Sequence, residues 1–309
     1  MTREPFFSEE FLHRLERLAL IARRSTVGQL QGERRSPKRG QSVEFADFRP
    51  YVSGDDFRRI DWNAYARLEK FFIKLFVEEE DLTVHFLVDN SRSMNWGQPN
   101  KLRYAAQVVG ALGYVALAGL DRITISALDH TTGNGNGNHA YFPPQRGKRQ
   151  ALALFNYLQG LLEASGQEPG MPHVPERSPG QWLRAYASSA LHKGPLLLVS
   201  DLMDDGWQDG LGVLAGRGFE VNLVHVLSPQ EVNPELEGDL KLLDSENAGE
   251  VEITADYELL ERYRRELQTW QEDWKRFCAP RGIHYAPVVS SLPLDELLFA
   301  WLRRQGVLK

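Results

Sequence analysis

Asp89-Asn90-Ser91-Arg92-Ser93 sets a carboxylate and two hydroxyls at alternate positions, directly after the apolar run Val84-His85-Phe86-Leu87-Val88. On a loop that leaves a buried strand, three such oxygens can turn toward one point. Hard divalent cations take oxygen donors of this kind. The crevice beyond the C-termini of the strands is also where open α/β sheets place their ligands. Leu196-Leu197-Leu198-Val199-Ser200-Asp201 is a second apolar run, and it ends in Ser-Asp. If the two strands are parallel, Asp201 lies at the same edge as Asp89. A carboxylate with two hydroxyls is too small a set for octahedral magnesium, so other loops have to contribute. Ser178, which opens a helix at Pro179, is the best third candidate. Each residue also has an ordinary role, because Asp and Ser after strands commonly cap helices and shape turns.

The rhythm of the chain supplies the elements that would hold these residues. Apolar spacing predicts an amphipathic helix over about residues 8–23, and Phe71–Val77 reads as a strand. Thr83–Val88, Arg122–Leu128, Leu196–Ser200, Phe219–Val226 and Gly282–Val288 also read as strands, with a short one near Tyr141-Phe142. Helices are expected over Lys101–Gly119, Arg149–Ala164, about residues 179–191 and Leu294–Arg304, and over about six turns where Leu260, Tyr263, Leu267, Trp270, Trp274 and Phe277 repeat at three-four spacing. Ser178-Pro179-Gly180-Gln181 has the form of a capping box. A β-hairpin is expected at Leu240–Leu243 and Val251–Ile253, and a Gly/Asn-rich loop between His130 and His139. Strands alternating with helices imply an α/β fold with a mostly parallel sheet covered on both faces. Residues 1–80 are expected to form an N-terminal helix and loop extension packed on a core domain of residues 81–309.

Composition narrows the classes. The 309 residues are 42% hydrophobic and 25% charged, ordinary for a soluble globular protein. A net charge of −6 speaks against a general nucleic-acid role, and the cluster Arg34, Arg35, Lys38 and Arg39 reads as a solvated loop. The single cysteine, Cys278, excludes an internal disulfide and reads as a packing residue. The apolar run Ala105–Leu120 is shorter than the roughly 20 residues a bilayer span requires, so no membrane span is expected and the chain reads as cytoplasmic. There is no P-loop, no Gly-x-Ser-x-Gly elbow, no His-Glu-x-x-His and no Cys/His zinc spacing. The residues point to binding rather than catalysis.

Asp89-x-Ser91-x-Ser93 together with Asp201 resembles the metal-ion-dependent adhesion site of von Willebrand factor A domains. Ser178 stands about where that family carries a threonine ligand. A second motif runs from Arg39-Gly40-Gln41-Ser42 through Arg49-Pro50-Tyr51-Val52-Ser53-Gly54-Asp55-Asp56-Phe57-Arg58-Arg59-Ile60-Asp61-Trp62 to Ala66-Arg67. It resembles the bacterial family catalogued as domain of unknown function 58, a von Willebrand A-like group. The resemblance implies a doubly wound von Willebrand A-like sheet and a metal site of Asp89, Ser91, Ser93, Ser178 and Asp201 for Mg2+, or Mn2+ or Ca2+, weakly held without a partner. It further implies a non-enzymatic adaptor that binds an acidic side chain. The partner it implies is a MoxR-type AAA+ ATPase or its client, in chaperone-like assembly or metal insertion. Two alternatives stay open: a metal-dependent hydrolase or phosphatase using Asp89, which Ser91 disfavours because haloacid-dehalogenase phosphatases need Asp-x-Asp, and a fold with a vestigial site. For the Gly54–Trp62 segment the preferred reading is structural. Asp55, Asp56 and Asp61 would pair with Arg49, Arg58 and Arg67, with Tyr51 and Trp62 holding the segment to the sheet.

Overall fold

The computed structural model describes residues 6–7, 10–15, 43–52, 55, 57, 60–78, 83–128, 141–165, 178–243 and 249–304. By compactness the chain forms two units, residues 29–81 and residues 1–28 with 82–309. Each is described by itself. The N-terminal stretch therefore divides: residues 10–15 are helical and belong to the larger unit, where Phe7 and Leu15 are buried in the core. The remainder of the helix expected over residues 8–23, the basic cluster at 34–39 and the Gly/Asn-rich stretch before His139 lie outside the described residues.

In the smaller unit, β1 (Val43–Pro50) pairs antiparallel with β2 (Phe72–Glu78), and α1 (Trp62–Leu68) lies between them in sequence. Asp61 caps α1, its Oδ1 accepting from Asn63 N–H at 2.9 Å and Ala64 N–H at 3.2 Å. Asp55 takes the Arg49 guanidinium with both oxygens, each at 2.7 Å. Tyr51, Trp62 and Tyr65 all pack on Phe71, Tyr65 by face-to-face stacking with ring centres 4.4 Å apart. The structural expectation for this motif thus holds for Asp55 and Arg49. Asp61 serves the backbone of a helix end, while Asp56 and Arg58 lie outside the described residues.

The larger unit contains β3 (Thr83–Val88), α2 (Lys101–Ala118), β4 (Arg122–Ala127), β5 (Tyr141–Arg146), α3 (Ala151–Ser165), α4 (Pro179–Ser189) and β6 (Pro195–Ser200). Next come α5 (Trp207–Gly216), β7 (Glu220–Leu227), α6 (Pro229–Val232), a hairpin of β8 (Gly238–Leu243) and β9 (Glu250–Ala255), α7 (Tyr257–Cys278), β10 (His284–Val289) and α8 (Leu294–Arg304). The sheet order is β10-β7-β6-β3-β4-β5, parallel throughout except for β5, which runs antiparallel at one edge. The short strand expected at Tyr141-Phe142 is this six-residue edge strand.

β3 and β6 are buried on both faces, as parallel central strands must be, and this accounts for their mostly apolar sequences. Successive side chains point to opposite faces. Val84, Phe86 and Val88 enter one core, which is filled from α2, α3 and α8. Leu87 enters the other, with Trp182 and Leu183 of α4, Trp207 and Leu211 of α5, and Trp274 and Cys278 of α7. Cys278 is buried there, in the packing role expected of it. The strand C-termini between these two layers form the rim on which Asp89 and Asp201 stand.

Candidate metal centre

The ladder between β3 and β6 pairs Val88 with Val199 and continues one residue past the strand, where Asp89 N–H donates to Val199 O at 2.9 Å. That register puts the two strand-end acids side by side. Asp89 is 4% exposed and Asp201 1%. Ser200 Oγ donates to Asp89 Oδ2 at 2.5 Å, and Ser91 N–H donates to Asp89 Oδ1 at 3.0 Å, so the chain curls back over its own carboxylate. Ser91 Oγ and Ser93 Oγ are 3.0 Å apart. Met94 is fully buried and anchors the turn that presents them. The structure therefore brings Asp89, Ser91, Ser93 and Asp201 to one rim.

Ser178 is not drawn into this cluster by any recorded hydrogen bond. It caps α4, accepting from Gln181 N–H at 3.4 Å while its own N–H donates to Gln181 Oε1 at 3.2 Å. The start of α4 nonetheless abuts the loop after β6, because a Cβ at Gly180 would lie 2.4 Å from Gly206 O. Leu202, directly after Asp201, has φ +58°, strained for a leucine by roughly 1–2 kcal/mol. Local strain of this kind gathers at functional loops.

Two residues that the sequence reading missed complete the cluster. Lys101 is wholly buried; its Nζ donates to Asp201 Oδ2 at 2.8 Å and to Glu231 Oε1 at 2.5 Å. Glu231 is held in turn by the capping box of α6, with Ser228 N–H donating to its Oε2 at 2.6 Å and its own N–H donating to Ser228 Oγ at 3.2 Å. A signal existed for both. Lys101 opens a helix whose only other charge is Arg103, at the end where the helix dipole repels a cation, and Ser228-Pro229-Gln230-Glu231 is a capping pattern directly after a strand. The loops are locked together around it. A Cβ at Gly97 would lie 2.4 Å from Ser228 Cβ, Gln98 and Gln230 exchange two hydrogen bonds at 3.0 Å, and Ser290 Oγ donates to Pro99 O at 2.6 Å.

Two carboxylates, Asp201 and Glu231, thus share one ammonium, while Asp89 beside them is held by Ser200 and Ser91. His225 lies across the ladder from Ser200, but burial lowers it to about 4, so it carries no positive charge at neutral pH. Among the described residues Asp89 receives only neutral donors. Burial first, and the charge of Asp201 second, push its carboxyl well above the ordinary range, against the hydrogen bonds from Ser200 and Ser91. A carboxylate in that state, beside two converging hydroxyls, is chemically suited to a hard cation. Among the described residues no three Asp, Glu, His or Cys side chains form a metal-holding group, so serine hydroxyls and water would have to complete the shell.

The family described as "Protein of unknown function DUF58" matches residues 47–273. The chain belongs to the DUF58 family. That span takes in both the Arg49–Trp62 motif and the rim from Asp89 to Glu231. An uncharacterized protein of Mycobacterium tuberculosis and one of Mycobacterium bovis are each 25% identical over 302 residues, covering 95% of this chain and 90% of the relative. Among solved structures, the chain is similar to the conserved hypothetical protein BatB from Bacteroides thetaiotaomicron, at 13% identity and a TM-score of 0.40. An aerotolerance-related membrane protein from Bacteroides fragilis gives 14% identity and the same TM-score; each match covers 73% of this DUF58 chain and 98% of the other. Among the described residues no helix is long and apolar enough to cross a membrane.

Proposed function

We propose that this DUF58 chain is a binding module, von Willebrand A-like in its finer architecture, whose strand-end rim holds a divalent cation and receives an acidic side chain of a partner protein. One observation carries the reading: Asp89 is buried beside a second carboxylate, yet every donor it receives from the described residues is neutral. Removing a charge from water without a compensating partner is costly, and a cation supplies that compensation. Asp89, Ser91 and Ser93 would be the direct ligands, with Asp201 close behind. Ser178 would join only by giving up its cap. A bound divalent ion would supply positive charge that the chain's own ligands only partly cancel. The partner proposed is a MoxR-type AAA+ ATPase or its client, on the strength of the sequence resemblance.

Calorimetric titration of Mg2+ or Mn2+ into the wild type and an Asp89→Asn variant tests this. Binding in the wild type that disappears in the variant is expected. A second reading has its own support, because Lys101 already sits on Asp201 and Glu231 and makes a self-contained ion-pair cluster. Equal and negligible heats in both proteins would favour it.

A further inference from the structure

Lys101 is wholly buried at the rim, and its charge is fixed there by two carboxylates rather than by solvent. Resting on the metal reading above, we propose that Lys101 is the specificity-determining residue of the centre: it sets the charge balance that lets a bound divalent cation accept an anionic ligand. With Asp89 ionised against a bound cation, Asp89, Asp201 and Glu231 would carry three negative charges against the one on Lys101. With Lys101 present, a divalent ion brings the cluster to neutrality before any ligand arrives. Without it the loaded cluster is already negative, and an incoming carboxylate is repelled. The geometry makes this balance stiff. Glu231 is clamped by Ser228 N–H at 2.6 Å, and Tyr263 Oη donates to its backbone oxygen at 2.7 Å, so the ammonium has little freedom to move off Asp201.

The proposal makes metal affinity and anion affinity change in opposite directions, which a merely structural lysine would not do. Mn2+ is titrated alone and followed by its paramagnetic resonance signal. Acetate is then added to the Mn2+-loaded full chain, and loss of metal-bound water is read from water-proton relaxation. Removing one unit charge a few ångströms away shifts such equilibria by about tenfold. Lys101→Met is expected to bind Mn2+ more tightly and acetate more weakly. Glu231→Gln is expected to do the reverse. The double variant, which restores the charge count, is expected to return both affinities toward wild type. If Lys101→Met fails to fold, Glu231→Gln and the double variant still decide the matter, since the Glu231 side chain is partly exposed. Glu231→Gln moving both affinities the same way, or neither, overturns the role of Lys101 while leaving the metal site standing. Wild type binding Mn2+ no better than Asp89→Asn overturns the metal reading and this proposal with it.

Discussion

The strand-end rim and the Arg49–Trp62 motif use the same residue types in opposite ways. In the motif, Asp55 is paired on both oxygens with Arg49 at a half-exposed site, and Asp61 satisfies the amides of a helix end. Among the described residues of the motif, each carboxylate has a local answer. At the rim, Asp201 and Glu231 share one buried ammonium, and among the described residues Asp89 is left with neutral donors. A carboxylate beside an arginine says little about function. A buried carboxylate without a cation says a good deal, because burying an unpaired charge costs several kcal/mol.

Breaking the rim should therefore have the largest effect. Lys101→Ala leaves Asp201 and Glu231 without their counter-charge, and a loss of about 3–5 kcal/mol in chemical unfolding is expected. A loss below about 1 kcal/mol would mean that water reaches these carboxylates. Next comes the strand beneath the rim. Burial, with the charge of His192 second, lowers His85 from 6.5 to about 4, so its unfolded form binds a proton that the folded form refuses. The His85 contribution to stability is then level above about pH 6.5 and falls as pH drops toward 4, by about 2 kcal/mol at pH 5. A His85→Gln variant should lose that slope. The motif pair should be silent over the same range, since the hydrogen bond from Arg49 holds Asp55 at about 2. Smallest is the motif itself: Asp61→Ala removes the cap of α1 and should cost about 1 kcal/mol with Mn2+ affinity unchanged. A shift in metal affinity in that variant would show the two regions to be coupled.

Much of the architecture was legible in the chain, for a physical reason. Parallel central strands are buried on both faces, so Thr83–Val88 and Pro195–Ser200 read as mostly apolar runs without polar alternation, and the acids that follow them stand out. Ser178-x-x-Gln181 announced its own capping box because caps are local. β5 was harder to see. Its pairing with β4 is antiparallel and at an edge, and Pro143 and Pro144 lie within it. Short sequence windows record neither sheet order nor which edge is left open.

What the sequence determined by itself was the set of strand-end oxygens and the periodicities that place them at loop starts, because both depend on neighbours in the chain. Only the tertiary structure decided that Asp201 answers to Lys101 across 100 residues and that Glu231 answers to it across 130. Those pairings depend on how the first turns of α2 and α6 meet above the sheet, and the energy that selects them comes from burial, which no local pattern encodes.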